Sequence, residues 1–170
     1  QEIKDLATAI GSLPGDADTS NLRYGKICIL ADADSDGLHI ATLLCALFLR
    51  HYKNLVTSGK IFVSMPPLYR IDAAKEVFYA LDENEKESIV KRIKKQNSKI
   101  KIDIQRFKGL GEMNPSQLRE TVMKPESRRL VQLTLNSSDN ANSVFDLLLS
   151  KKRAPDRKEW LEKKGNLAEI

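Results

Sequence analysis

The stretch ILADADSDGLHI, residues Ile29 to Ile40, carries three aspartates on alternate residues between an apolar segment and the start of an apolar helix pattern. Asp32, Asp34 and Asp36 would repel one another if all three were ionised, so a cation or a set of hydrogen-bond donors is needed to neutralise them. The run KICILA just before them is apolar and β-branched, which predicts a strand covered on both faces. The sequence therefore predicts a ligand site at the carboxyl end of a buried strand.

The residues that follow extend this strand into a β-α-β unit. A helix is predicted from Gly37 to about Lys53, and it is apolar nearly all round, which predicts that it is buried. The run IFVSM, residues 61–65, predicts a second buried strand. Strands joined in this way pair in parallel, and ligand sites in such sheets form at the carboxyl ends of the strands. We therefore expect an α/β fold with the aspartates at its functional edge.

The rest of the chain alternates extended and helical patterns. Asn114, Pro115 and Gln117 form a capping-box pattern at the start of one helix. A lysine-rich segment at 86–101 is interpreted as a solvated excursion, with nucleic-acid contact as the alternative. The remaining elements are predicted as a hairpin of 68–71 with 76–81, a charged helix at 82–95, strands at 102–107 and 128–135, and helices at 114–124, 143–149 and 154–164.

Composition is that of an ordinary soluble globular chain. It has 170 residues, a hydrophobic fraction of 41%, a charged fraction of 30% and a net charge of +5, which permits a polyanionic partner. Cys28 and Cys45 lie in apolar runs and are expected to be buried thiols in a reducing compartment, the cytoplasm. The longest apolar run is too short to span a bilayer. Because the chain begins inside a helical pattern and without methionine, we expect it to be part of a longer protein.

The aspartate triplet admits several interpretations. A calcium-binding EF-hand is excluded, because its twelfth position needs a glutamate and Leu43 stands there. Asp36 could cap the following helix, which would leave Asp32 and Asp34 to converge on one ion. Carboxylate oxygens suit Mg²⁺, which serves phosphoryl-transfer chemistry on phosphodiesters. These residue types alone do not exclude a phosphatase in which Asp32 is the nucleophile.

Two further features could contribute to a phosphate site. Lys108 stands before Gly109-Leu110-Gly111, and two glycines around one leucine permit a close backbone approach or a positive φ. A lysine on such a turn can meet a phosphate as a point charge, or the turn can be purely structural. His39 lies close to the aspartates on an otherwise apolar helix, where a histidine is typically a packed core residue.

Three motifs in this order, ILADADSDGLHI, PPLYRID and QRFKGLGEMNPSQL, resemble the Toprim region of type IIA DNA topoisomerases. Ser35 and Leu38 follow the pattern of the bacterial topoisomerase IV branch more than that of the gyrase B subunit, which remains the alternative. The resemblance implies a Rossmann-like Toprim domain with a parallel sheet and flanking helices, plus a mostly helical C-terminal tail. We expect the Toprim domain at 1–107, with a lysine-rich excursion at about 76–101, and the tail at 108–170.

The resemblance also implies roles for particular residues. Asp32 and Asp34 are implied as direct ligands of Mg²⁺ and Asp36 as a supporting carboxylate. The DNA-binding residues are implied to be His39, Lys108 and Lys164. The family's nucleophilic tyrosine lies on the other kind of chain in an A2B2 heterotetramer, so no catalytic nucleophile is assigned here.

One departure from the family affects the expected metal site. The glutamate of an E-G-D-S-A type motif, together with the strand that carries it, is absent, so we expect weak Mg²⁺ binding in this chain. The ATP-binding domain of the family is also absent. The resemblance implies a bacterial, cytoplasmic enzyme that uses ATP and Mg²⁺ to relax and decatenate DNA, and this chain alone is not expected to hydrolyse ATP or cut DNA.

Overall fold

The computed structural model of the chain describes residues 1–16, 18–136 and 140–167. Its contacts divide the chain into two compact units. Unit 1 comprises residues 1–23, 43–59 and 134–170, and unit 2 comprises residues 24–42 and 60–133. Unit 2 contains the aspartate stretch. The positions 137–139 and 168–170 of the predicted tail lie outside the described residues.

Helices and strands follow one another in a mixed α/β order, which confirms the predicted fold class. The helices are α1 Glu2–Ile10, α2 Ser35–His51, α3 Lys53–Thr57, α4 Glu83–Gln96, α5 Pro115–Leu118, α6 Ala141–Leu149 and α7 Ala154–Lys164. The strands are β1 Ile27–Ile29, β2 Ile61–Ser64, β3 Tyr69–Ala73, β4 Glu76–Ala80, β5 Ile102–Arg106 and β6 Leu130–Gln132.

The first sheet of unit 2 contains the strand that leads into the aspartates. Its order is β1-β2-β6. β1 and β2 run parallel, with Ile27 opposite Ile61 and Ile29 opposite Val63, as expected for a β-α-β unit. β6 joins β2 in antiparallel orientation. The parallel sheet expected from the sequence is therefore limited, among the described residues, to this one pair of strands.

The second sheet of unit 2 is antiparallel and has the order β4-β3-β5. The predicted hairpin is confirmed, because β3 pairs with β4 from Tyr69 opposite Ala80 to Ala73 opposite Glu76. One face of the sheet packs against α4, where Ile71 is fully buried and Ile89 and Ile93 lie in the same cluster. Asp82 caps α4 by accepting a hydrogen bond from the backbone N–H of Glu85 at 2.8 Å. This local cap explains why the helix begins where the charged pattern begins.

Unit 1 is built from helices, and its α6 and α7 agree with a mostly helical tail, whereas the predicted tail residues 108–133 belong to unit 2 and include β6. α1 ends at Gly11, whose φ of 81° is the left-handed conformation that glycine adopts without steric cost. The rings of Phe48 and Tyr52 pack with centroids 5.5 Å apart, and both side chains are 2% exposed. None of the helices in the described ranges has both the length and the apolar character that crossing a bilayer requires.

Two expectations about burial are wrong. The first half of α2 is not buried, since Leu38 is 60% and Ile40 53% exposed. Cys28 is exposed and Cys45 is half-buried. In β1 the side chains alternate between faces, so Ile29 is buried while Cys28 lies on the opposite, uncovered face. Apolar composition identifies residues that can be buried, but it does not identify which faces are covered.

A pH prediction follows from the ion pair between Glu85 of α4 and Arg129, which precedes β6. The Arg129 guanidinium donates two hydrogen bonds to the Glu85 carboxylate, at 2.6 and 2.9 Å, and this lowers the pKa of Glu85 below its ordinary value of 4.5. A carboxyl whose folded pKa is depressed contributes stability above its unfolded pKa, and the contribution is lost as the pH falls through the folded pKa. We therefore expect the melting temperature of Glu85→Gln to fall less steeply than that of the wild type from about pH 5 to about pH 3.

The control for this measurement is Glu87→Gln. Glu87 forms an exposed pair with Lys91 on the same helix, and exposed pairs contribute little to stability. Its acid profile should follow that of the wild type. Parallel acid profiles for Glu85→Gln and the wild type would show that the pair with Arg129 does not stabilise the fold.

Candidate functional site

Asp32 lies three residues beyond β1, at the carboxyl end of the parallel pair, where the sequence predicts a site. It is half-buried, and its Oδ1 accepts a hydrogen bond from the backbone N–H of Leu110 at 2.8 Å. A cleft opens beside it, lined by residues that follow β1 and β2, among them Leu38 and Met65. One oxygen of Asp32 is therefore held by a distant turn of the chain.

Asp34 is held by the helix that it precedes. Its Oδ1 accepts a hydrogen bond from the backbone N–H of Gly37 at 2.7 Å, and its carbonyl oxygen accepts one from the N–H of Leu38 at 3.0 Å. This is the arrangement of a helix N-cap, so Asp34 caps α2 in place of Asp36, and α2 begins at Ser35. The expectation that Asp36 caps a helix opened by Gly37 is wrong, because the helix begins two residues earlier.

Asp36 and His39 lie in the first turns of α2, and both are exposed. A carboxylate in the first turn is stabilised by the helix dipole without contacting any particular ligand. His39 is not a packed core residue, although an isolated histidine on an apolar helix is typically one. Both side chains are open to solvent, on the same short segment as Asp34.

The turn that follows β5 carries Lys108 in the same unit, and the next two residues of the turn lie against the Asp32 carboxylate. Lys108 is exposed, and its backbone N–H donates to Oε2 of Glu112 at 2.9 Å. Gly109 stands so close to Asp32 that a Cβ at this position would lie 3.2 Å from both Cγ and Oδ2 of the carboxylate. The two glycines of the turn indicated a close backbone approach, but nothing in the sequence indicated that Asp32 is the group approached.

The capping box after this turn is confirmed. The side chain of Asn114 accepts from the N–H of Gln117, and the Gln117 side chain accepts from the N–H of Asn114, both at 2.9 Å. Lys164 is exposed in the last turn of α7, in unit 1. The structure thus brings five of the six residues predicted for the site into unit 2, and Lys164 belongs to unit 1.

Whether these residues fit Mg²⁺ depends on the oxygens that the local hydrogen bonds leave available. Among residues 1–16, 18–136 and 140–167, no three His, Cys, Asp or Glu side chains are arranged to hold a metal ion. Asp32 and Asp34 each direct one oxygen to a backbone N–H and keep a second oxygen outside those bonds. Mg²⁺ typically binds through one or two carboxylates while keeping waters or substrate phosphates in its remaining positions. The donors fit this mode of binding and do not fit a closed cage of protein ligands.

The known proteins that this chain resembles are B subunits of bacterial DNA topoisomerases. Residues 99–162 match the family described as DNA gyrase B subunit, carboxyl terminus. The chain is 62% identical over 170 residues to the B subunit of DNA topoisomerase 4 from Pseudomonas aeruginosa. The alignment covers 100% of this chain and 27% of the relative. It is 63% identical over 173 residues to the corresponding protein of Haemophilus influenzae, in an alignment that covers 99% of this chain and 27% of the relative.

Gyrase B subunits are also similar, at lower identity. The one from Thermotoga maritima is 42% identical over 164 residues, covering 96% of this chain and 25% of the relative. The higher identity to the topoisomerase IV proteins agrees with the pattern of Ser35 and Leu38. The chain thus spans about a quarter of the length of the curated relatives that it matches. Over its whole length the chain therefore matches a segment of the B subunits of type IIA DNA topoisomerases, with higher identity to the topoisomerase IV proteins than to the gyrase protein.

Proposed function

We propose that this chain supplies the Mg²⁺-holding half of the DNA cleavage and religation centre of a bacterial topoisomerase IV. The observation that carries the proposal is the fixing of two carboxylates at the carboxyl end of a parallel strand pair. Asp32 is held by the N–H of Leu110 and Asp34 by the N–H of Gly37, and each keeps one oxygen outside these bonds. Two oriented carboxylates at such an edge are the donors expected for Mg²⁺ that also contacts a substrate phosphate.

In this proposal Asp32 and Asp34 hold Mg²⁺, and the exposed Asp36 adds negative charge beside them. When bound, the ion supplies charge stabilisation for the scissile phosphate and its leaving oxygen. His39 and Lys108 are exposed in the same unit and donate to the DNA backbone, Lys108 as a point charge. Lys164 of α7 adds a further backbone contact. Backbone contacts of this kind position DNA without reading its sequence.

The attacking group belongs to the partner. We assign the nucleophilic tyrosine to ParC, the second kind of chain in topoisomerase IV, with which the full-length protein forms an A2B2 heterotetramer. ATP binding belongs to a domain outside this chain. The assembly passes one DNA duplex through another, and so relaxes and decatenates DNA at the nucleoid in the bacterial cytoplasm. The net charge of +5 on this chain agrees with a polyanionic substrate.

The test is the decatenation of linked DNA circles by the full-length protein mixed with ParC. We expect unlinked circles only when both proteins, ATP and Mg²⁺ are present, because the nucleophile and the carboxylates lie on different chains. The readout is the separation of linked and free circles on an agarose gel. Reactions that lack one component at a time, or that contain EDTA, provide the controls.

Two results would contradict the proposal. Failure of the complete mixture to unlink circles, with the A2B2 assembly confirmed by size-exclusion chromatography, would remove the assignment to decatenation. Hydrolysis of generic phosphate monoesters by the full-length protein without ParC would favour the phosphatase in which Asp32 is the nucleophile, provided that Asp32→Asn abolished the turnover.

A further inference from the structure

We propose that the turn Lys108–Leu110 positions the Asp32 carboxylate for its ion, with Gly109 and the backbone N–H of Leu110 as the positioning groups. This inference rests on the proposed function, since it concerns the same site. It adds that the KGLG segment acts on the ion through Asp32, in addition to presenting Lys108 to DNA.

The first support is the long-range hydrogen bond to Asp32. The N–H of Leu110 donates to Oδ1 at 2.8 Å, between residues 78 positions apart in sequence. An aspartate just beyond a strand would otherwise have a choice of rotamers. A hydrogen bond to one oxygen selects one orientation of the carboxylate. Because the carboxylate is rigid, this orientation also fixes the direction of the other oxygen. Partners that orient a ligating carboxylate in this way affect metal affinity as well as geometry.

The second support is the space at Gly109. A Cβ at this position would lie 3.2 Å from Cγ and Oδ2 of Asp32 and 3.3 Å from Oδ1. The backbone of Gly109, with φ −163° and ψ 170°, is extended and open to any residue. Glycine is therefore favoured here by the closeness of the carboxylate and not by the conformation of the turn. Adding one methyl group would shift the carboxylate or the turn by a few tenths of an ångström.

The turn does not need Asp32 in order to close. The Glu112 side chain accepts from the N–H of Lys108, and the N–H of Glu112 donates to the carbonyl of Gly109 at 3.2 Å. The N–H of Met113 donates to the carbonyl of Leu110 at 3.1 Å. The turn is thus held by its own hydrogen bonds and acts as a preformed support for the carboxylate. Preorganised ligands of this kind spend less binding free energy on ordering when the ion arrives.

The test measures Mn²⁺ binding to the full-length protein without ATP, by the loss of the free-ion signal in electron paramagnetic resonance. Gly109→Ala is expected to weaken the Asp32-dependent binding by about 10-fold or more, the usual effect of disturbing a partner that orients a ligand. The matched control is Gly111→Ala in the same turn, since a Cβ there has no heavy atom within 4 Å. Gly111→Ala should bind Mn²⁺ as the wild type does. Melting temperatures show whether each variant is folded.

A second variant, Leu110→Pro, is measured in the same way and replaces Gly109→Ala if that variant does not fold. Leu110→Pro removes the N–H donor. Leu110 is the first residue of a short helical turn, where proline is tolerated, and the preceding Gly109 is extended, as proline prefers. Leu110→Pro should also weaken Mn²⁺ binding by about 10-fold.

Asp32→Asn separates the failure of this inference from the failure of the proposed function. If Asp32→Asn weakens Mn²⁺ binding while Gly109→Ala and Leu110→Pro bind as the wild type does, the positioning role alone is overturned. If Asp32→Asn also binds as the wild type does, the assignment of the ion to Asp32 is overturned, and the positioning role falls with it. Weakened binding in Asp32→Asn and in the folded turn variants, with Gly111→Ala unchanged, supports both.

Discussion

Gly37→Ala is expected to destabilise the protein by about 3 kcal/mol or more, at the upper end of what overpacking causes. A Cβ at Gly37 would lie 2.1 Å from the carbonyl oxygen of Asp32 and 2.7 and 2.8 Å from its backbone C and N atoms. These are backbone atoms, so no flexible side chain can move aside. Gly37 lies inside α2, where helix propensity alone predicts that alanine stabilises by roughly 1 kcal/mol. Steric overlap and helix propensity thus predict opposite signs for the change in the free energy of unfolding.

Urea unfolding of the wild type and the variant measures this difference. Gly25→Ala is the control, because it changes the same residue type in the same unit with no heavy atom within 4 Å of the added Cβ. We expect its stability to stay within about 1 kcal/mol of the wild type. A Gly37→Ala variant as stable as the wild type would show that the chain between Asp32 and α2 is not packed as closely as described.

The second large effect concerns Asp34, which has both a structural and a proposed chemical role. Asparagine caps helices about as well as aspartate, so Asp34→Asn should keep the free energy of unfolding within about 0.5 kcal/mol of the wild type. Asp34→Ala removes the acceptor for the N–H of Gly37 and should lower it by about 1 kcal/mol. Both variants lose the negative charge that would hold Mg²⁺. We therefore expect DNA cleavage by the full-length protein with ParC to fall on the order of 100-fold or more in each.

Comparing the two variants separates the roles of Asp34. Stability is measured by urea unfolding and cleavage by the amount of linearised plasmid at equal enzyme concentration. Asp103→Asn, which removes an exposed carboxylate from β5 in the same unit, controls for the change in net charge and should leave cleavage unchanged. Full cleavage by Asp34→Asn would restrict Asp34 to its capping role.

Local features of this protein could be predicted because their causes lie within a few residues. The capping box at Asn114 and Gln117 is confirmed, and so is the hairpin of β3 and β4. The helix α7 at Ala154–Lys164 is also confirmed. Caps, turns and alternating patterns depend on neighbours that the sequence places side by side.

The predictions that were wrong concern surfaces and competing local choices. Cys28 and Leu38 are apolar residues in apolar runs, yet both are exposed. Three aspartates at alternate positions offer more than one possible cap for α2. The helix is capped by Asp34 and not by Asp36. Sequence periodicity ranks residues by their suitability for burial, whereas burial itself requires another element to cover them.

The order of residues is enough to predict that three aspartates follow a short apolar strand, that the strand is part of an α/β unit, and which family the chain resembles. The folded chain was needed to show that a turn 78 residues away holds Asp32, and that Gly37 and Gly109 leave room for the Asp32 backbone and carboxylate. The difference lies in the range of the interactions. Strand, cap and turn preferences act between near neighbours, whereas the orientation of a carboxylate depends on which distant backbone group the folded chain brings to it.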